Sequence, residues 1–419
     1  MNPSDGGDSI HHGAPTSATA ALFGAPDLRP FASMSLEEIS RAAGLHHLHV
    51  VAWRDFDDEE SGGSELHAHR ILSAWADAGI TVNMTTSTAP GRPPFVTRDG
   101  YQVTRRVGRY SIFPRTMISG WKGTLGRTDG LVEIWNGMPF LSPIWARSPR
   151  VVFLHHVHAE MWKMVLPRGL AELGDTFEHR VAPQFYRRSR IITLSSSSKA
   201  EIVGKLGLPA ANVSVSPPGI EAKFAPGGRR SEVPLVVAVG RLVPVKRFDL
   251  MIEGLVELKR RQPELRAVIA GEGYERPALD QLIRSHHAES WLSLPGHVTD
   301  DELIDLYRSA WAVASTSLRE GWGMTVTEAG ACGTPAVVSR ISGHLDAVVD
   351  GRTGLFFDDA PGLVDALDAV LGDEVLRKQL SEGALEFSTR FSWDNAARGA
   401  LAVLAAEALR RRGPTPVGA

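Results

Sequence analysis

Cysteine is almost absent: Cys332 is the single one among 419 residues. One thiol makes neither an intrachain disulfide nor a thiolate metal cluster, so nothing ties the fold to an oxidising compartment, and a reducing cytoplasm is expected. No uncharged apolar run approaches the roughly 18 residues of a bilayer-spanning helix, which leaves peripheral membrane contact as the form of membrane association to expect. A charge excess is lacking too, with 45 Lys and Arg against 48 Asp and Glu and a formal charge of -3. That balance excludes a domain devoted to wrapping nucleic acid, so phosphate binding has to be local. Aromatics are sparse at 7%, yet a hydrophobic content of 43% supplies more than one packed core. The length is that of two or three domains. The opening MNPSDGGDSIHHGAPTSATA has neither the cationic start nor the apolar stretch of a secretory leader. Residues 1–45 read as a flexible tail, with a helix at 35–44 as the exception.

From residue 46 onward, short apolar runs alternate with segments of helical period, the rhythm of an α/β fold. Strands are expected at residues 48–53, 80–85, 131–135, 151–155, 191–195 and 213–217, then at 235–240, 267–271, 292–296, 312–316, 335–339 and 354–357. Several are apolar on both faces, as parallel strands covered by helices must be. Four prolines and three glycines interrupt the pattern at 216–234, so two doubly wound parallel sheets are expected, in units 46–218 and 219–391. Ligands of such sheets sit beyond the carboxyl ends of the strands, and two facing sheets enclose a cleft.

Three segments carry chemistry. REGWGMTVTEAGACGTPAVVS, at 319–339, follows one expected strand and runs into another. Gly321 and Gly323 permit close backbone approach, and a helix starting near Met324 presents unpaired amides to an anion. Glu320 precedes that helix and Glu328 lies about one turn inside it, offering acceptors to different hydroxyls of a sugar-containing ligand. A turn with a solvated and a capping glutamate is the plainer alternative. VGRLVPVKRFDLMIEGL, at 239–255, ends a strand in glycine and follows it with Arg241, Lys246 and Arg247. Cations there neutralise a diphosphate leaving group or, taken singly, are ordinary surface charges. Gly62 and Gly63, after the first strand of the other half, sit where backbone approaches phosphate across the cleft. Together the three segments ask for a nucleotide diphosphate.

The succession GRLVPVKRFDLMIEGL, IAGEGYERPALDQLI, LPGHVTDDELIDLYRSA and EGWGMTVTEAGACGTPAVVSRISGHLDAVVDGRTGLFF resembles the carboxyl-terminal domain of the retaining glycosyltransferases of family 4, which have the GT-B fold of two Rossmann-like domains. The likeness runs from about residue 214 to 358 and includes that group's E-x7-E signature as Glu320 and Glu328; GGSE at 62–65 resembles its amino-terminal glycine loop. The resemblance implies transfer of a glycosyl unit, with retention, from a nucleotide diphosphate sugar of UDP or GDP type to a hydroxyl of a glycan, lipid or small-molecule acceptor. It implies Arg241 and Lys246 on the donor diphosphate, Glu320 beside the transferred sugar and Glu328 on the ribose. Gly63 belongs to the glycine loop, Gly323, Met324 and Thr325 meet sugar and phosphate through their backbone, and His297 with Val298 meets the base. His155 matches the group's first-domain histidine, with His156 and His158 as alternatives of shifted register. No metal or other cofactor is implied. Charge building on the departing diphosphate would be stabilised by Arg241, Lys246 and the helix-start amides. A last helix near 393–409 is expected to cross back onto the first domain. A sugar-nucleotide epimerase, a phosphorylase or a non-catalytic nucleotide-sugar binder of the same fold is the alternative.

Three further features compete. HHLH at 46–49 and HHVH at 155–158 raise a metal-dependent hydrolase, since neutral imidazoles bind zinc or nickel. Against it, strand side chains alternate between faces and no third carboxylate is fixed by spacing. Asp55 and Asp57 form a D-x-D, read as a solvated acidic loop. Finally Arg98, Arg105, Arg106, Arg109, Arg115, Lys122 and Arg127 face one acid, Asp99, with Tyr101, Tyr110, Phe113 and Trp121 interleaved. That stretch is a patch for an anionic acceptor or lipid headgroups or, as the plainer alternative, a solvated basic face with ordinary aromatic core residues.

Overall fold

The structure, a computed structural model, describes residues 22–158 and 168–413. Its first sheet holds β1 (His47–Val51), β2 (Thr81–Thr86), β3 (Phe95–Arg98), β4 (Tyr101–Arg105), β5 (Gly130–Ile134), β6 (Arg150–Phe153), β7 (Arg190–Thr193) and β8 (Val213–Val215), in the order β3-β4-β2-β1-β5-β6-β7-β8. The second holds β9 (Leu235–Val239), β10 (Arg266–Ala270), β11 (Leu292–Gly296), β12 (Ala312–Ser315), β13 (Ala336–Ser339) and β14 (Gly354–Phe357), in the order β11-β10-β9-β12-β13-β14. Every named pairing is parallel except that of β3 with β4. In each sheet the chain order reverses beside the first strand, at β1–β5 and at β9–β12, and this opens a crevice at the carboxyl ends.

All the expected strands are present, and β3 and β4 are additional. Both are short and form a hairpin at the sheet edge, and neither Phe-Val-Thr-Arg nor Tyr-Gln-Val-Thr-Arg is an apolar run that would mark a strand. Their turn, Asp99 and Gly100, has φ of 39° and 81°, the left-handed pair that a tight hairpin requires.

The chain passes between domains twice. The segment after β8 leads out, and the helix Trp393–Arg412 returns to pack on the first sheet, with Ala400, Leu401, Leu404 and Ala405 fully buried. Trp75 fixes its start by donating to the Ala397 carbonyl at 3.0 Å. The two passages touch at Gly219, where a Cβ would lie 2.1 Å from the Trp393 nitrogen; only glycine fits there.

The expected tail is corrected over the part the structure describes; residues 1–21 lie outside it. Phe23, Leu28, Phe31 and Ile39 are buried in the first core together with the returning helix. Helix Leu36–Ala43 carries a capping box from Ser35 and Glu38 and ends at left-handed Gly44. Arg398 of the returning helix donates to the carbonyls of Ala32 and Met34. The small residues of that helix leave a trough, and the apolar side chains that fill it come from the opposite end of the sequence.

Candidate active site

Lys246 and Glu320 meet where the second sheet reverses. Lys246 closes a short turn after β9, Glu320 lies on the loop after β12, and their charged groups form an ion pair. Ser317 donates to the same Glu320 oxygen at 2.8 Å. Burial alone would raise the Glu320 carboxyl; the charges of Lys246 and His344 and the hydrogen bonds from Lys246 and Ser317 outweigh it and hold the group at about 2. Glu328, on helix Met324–Ala331, receives the Tyr307 hydroxyl at 3.2 Å, and desolvation pushes it up to about 7. One motif therefore supplies a permanent anion and a carboxyl poised near neutrality.

The loop between them is built for close approach. Gly323 has φ 110° and ψ 59°, and a Cβ there would sit 3.0 Å from the His344 ring, so a side chain is excluded by both backbone and packing. Helix Met324–Ala331 begins immediately after, leaving its first amides, those of Met324 and Thr325, without partners inside the helix.

The first domain faces this loop. Arg241 crosses the cleft to donate from Nη1 to the Glu60 carbonyl at 2.9 Å. A Cβ on Gly62 would lie 3.2 Å from Arg241 Nε, and one on Gly63 would lie 3.4 Å from Met324 Sδ. Burial and neighbouring Arg54 pull the Arg241 guanidinium below its ordinary value. The structure thus brings Gly63, Arg241, Lys246, Glu320, Gly323, Met324 and Thr325 to one crevice. His297 and Val298 stand at the end of β11, two strands from β9, a separation of about 10 Å at ordinary strand spacing.

The histidines after β6 line the first-domain side. His155 Nε2 lies 3.2 Å from His67 Nδ1, and its carbonyl is 3.0 Å from where a Gly321 Cβ would be. His156 feels the charges of Arg319, Glu320 and Lys246, but burial dominates and lowers it to about 4. His158 is also lowered by burial and by His156. All three are neutral imidazoles at pH 7. Two histidines of the HHLH run have partners elsewhere: His47 pairs with Asp129 at 3.2 Å, and His49 Nε2 lies 3.0 Å from Thr85.

Two readings are corrected. Asp55 and Asp57 are not a solvated loop: Arg105 reaches both, at 2.5 and 2.6 Å, and Asp55 and Arg105 are each 1% exposed. Arg98 pairs with Asp57, and Arg109 with Asp58 and Glu60. The basic patch therefore loses three of its members, Arg98, Arg105 and Arg109, to these carboxylates, while Tyr101 and Phe113 are core residues, as the plainer alternative had it. These pairings form because the β3–β4 hairpin lies over the loop after β1, a contact invisible until the strands are placed. Sequence reasoning also missed Ser317, Tyr307 and His344 around the two glutamates. Ser317 carries a faint signal, three residues before Glu320 on the same loop; the other two arrive from separate elements.

Two Rossmann-like domains whose strand ends close on a crevice of cations, carboxylates and glycine turns define the GT-B class of glycosyltransferases. A family model described as Glycosyl transferases group 1 matches residues 219–387, and one described as Glycosyltransferase Family 4 matches residues 61–224. The D-inositol 3-phosphate glycosyltransferase of Stackebrandtia nassauensis is 31% identical over 416 residues, covering 90% of this chain and 94% of its own. That of Kribbella flavida is 33% identical over 237 residues, 51% of this chain and 55% of its own. Among solved structures, Anabaena HepE in complex with UDP-glucose has the same fold, with a TM-score of 0.67 at 17% identity over 84% of this chain and 97% of that one. The chain belongs to the retaining glycosyltransferases of family 4 and is a glycosyltransferase that uses a nucleotide sugar.

Proposed function

We propose that the enzyme moves a hexosyl unit from a UDP sugar to an acceptor hydroxyl, with the donor held by the second domain. The observation that carries this reading is the Lys246–Glu320 pair at the ends of β9 and β12, opposite Gly62 and Gly63. A nucleoside diphosphate laid along the strand ends puts its base at His297 and Val298, its ribose hydroxyls on Glu328 and its diphosphate between Arg241 and Lys246. The UDP-glucose complex of HepE supports uridine as the base.

As the anomeric carbon parts from the diphosphate oxygen, negative charge moves to phosphate and positive charge to the sugar. Lys246, Arg241 and the amides of Met324 and Thr325 take up the first; the Glu320 carboxylate, ionised throughout, faces the second. A carboxylate held at about 2 is too weak a base to take the acceptor's proton, so that proton is assigned to the departing phosphate, on the face where the new bond forms. The neutral histidines 155, 156 and 158 form the first-domain wall against the sugar. Asp55 and Asp57 are committed to arginines, so no metal is required at that D-x-D. The acceptor is a glycan, lipid or small molecule; the names of the curated relatives make a phosphorylated polyol the first to try. The reaction is placed in the cytoplasm. Among the described residues no helix is long and apolar enough to cross a membrane.

Thermal shift against a panel of nucleotide sugars tests the donor, since preferential binding to the folded state raises Tm. UDP sugars should stabilise the wild type and not Lys246→Ala, and transfer should persist in chelator. Stabilisation by no nucleotide sugar, or loss of transfer in chelator, contradicts the reading.

A further inference from the structure

Outside the donor crevice, helix Ser196–Leu206 of the first domain bonds to the second domain at several points. Asp346 of the second domain accepts from the Ser196 amide at 2.8 Å and from the Ser197 amide at 3.0 Å. In return the Gly343 amide donates to Ser197 Oγ at 2.8 Å. One turn along, Glu201 holds the Arg319 guanidinium at 2.9 Å, with both side chains largely buried. The Ser198 hydroxyl reaches the Gly321 carbonyl at 3.4 Å.

These contacts fall on both sides of one residue. Arg319 immediately precedes Glu320 and Gly321 immediately follows it, while Asp346 lies two residues beyond His344, the ring against Gly323. A carboxylate on free helix-start amides is favourable in both hydrogen bonding and charge. The helix therefore bonds both to the Glu320 loop, at Arg319 and Gly321, and to the turn behind Gly323, at Gly343 and Asp346.

We propose that Asp346 and Glu201 are positioning residues through which the acceptor domain sets the geometry of the Glu320 loop, so that the carboxylate is in register with the sugar only when the domains are closed. Neither residue touches the donor; each acts through a loop that does. The proposal rests on the reading of Glu320 as the carboxylate beside the sugar. A reacting group displaced by about 1 Å loses on the order of a hundredfold in rate, which gives a brace at this point a large lever on turnover and little on nucleotide affinity.

The test uses the full chain as wild type, Asp346→Ala, Asp346→Asn and Glu201→Gln. Three quantities are measured: UDP affinity by calorimetry, steady-state transfer, and hydrogen exchange at Ser196 and Ser197 without nucleotide. Asp346→Ala should lower kcat by about tenfold or more while UDP affinity stays within about twofold. Asp346→Asn, which keeps one acceptor oxygen, should recover part of the loss, and Glu201→Gln should show a smaller loss of the same kind. Exchange at the two amides should rise by about tenfold in Asp346→Ala. An unchanged kcat in Asp346→Ala, or a loss carried wholly by UDP affinity, overturns the proposal. The exchange arm needs no donor, so failure of the wild type to bind UDP would count against the donor reading alone. Unchanged exchange in Asp346→Ala would count against the brace.

Discussion

In the second domain Lys246 and Glu320 pair at the ends of β9 and β12, whereas the first domain commits Arg98, Arg105 and Arg109 to Asp55, Asp57, Asp58 and Glu60 around its glycine loop. Both are clusters of ion pairs at strand ends, but they differ in what they leave over. The donor-side pair lies beside glycine turns and the amides that begin helix Met324–Ala331, the groups that the proposed function gives to a diphosphate. The first-domain cluster pairs its arginines with carboxylates of its own domain and serves to hold the loop that brings Gly62 and Gly63 against Arg241 and Met324. Charge near a cleft is thus not by itself a binding site; on the proposed function, the glycine turns and helix-start amides beside the charges make the difference.

The comparison is broken most directly by removing one member from each cluster. Lys246→Ala should lower kcat/KM by roughly a thousandfold, the scale of losing a principal charge-stabilising donor, with the first domain still folded by circular dichroism and proteolysis. Glu320→Ala should do likewise. Arg105→Ala strands Asp55 in the interior and should cost about 3–5 kcal/mol of stability, read as a fall in Tm and in denaturant midpoint. A fully stable Arg105→Ala, or an active Lys246→Ala, would erase the distinction between the clusters.

The two glutamates sharpen it. Glu328 is raised to about 7, so the folded protein holds that proton more tightly than the unfolded chain does. The stability margin this provides is full below the ordinary carboxylate value and is lost as pH rises toward 7. Ribose hydroxyls donate to the ionised form, so UDP affinity should climb with pH up to about 7 and then level, by up to roughly tenfold per unit. Glu328→Gln should flatten that profile in calorimetry. Glu320 runs the other way: held at about 2, its contribution is present above the ordinary carboxylate value and disappears only as pH falls toward 2. The smallest effect is expected at the surface. Replacing exposed Trp121 and Arg115 by serine should leave transfer to a soluble acceptor within about twofold, while co-sedimentation with anionic vesicles reports whether that face meets a membrane.

The same contrast explains how much was legible beforehand. Apart from β3 and β4, the strands of both sheets announce themselves as apolar runs, and Arg241, Lys246 and Glu320 follow such strands closely in sequence, so their meeting at one set of strand ends could be expected from motif and spacing. What escaped depends on pairing over long separations: Arg105 on Asp55, Phe23 and Phe31 under the returning helix, Asp346 on Ser196. The edge hairpin that delivers Arg98 and Arg105 had only the Asp99-Gly100 turn to mark it. Each of these contacts is decided by which elements become neighbours, and no local periodicity encodes that.

The central claim is that cations at the end of β9 hold the diphosphate of an activated sugar. Calorimetric titration of UDP into the wild type and into Arg241→Ala/Lys246→Ala, both verified as folded, tests it in one step. The account predicts measurable binding to the wild type and a loss of about a hundredfold or more in the double variant; equal affinity in the two proteins would contradict it.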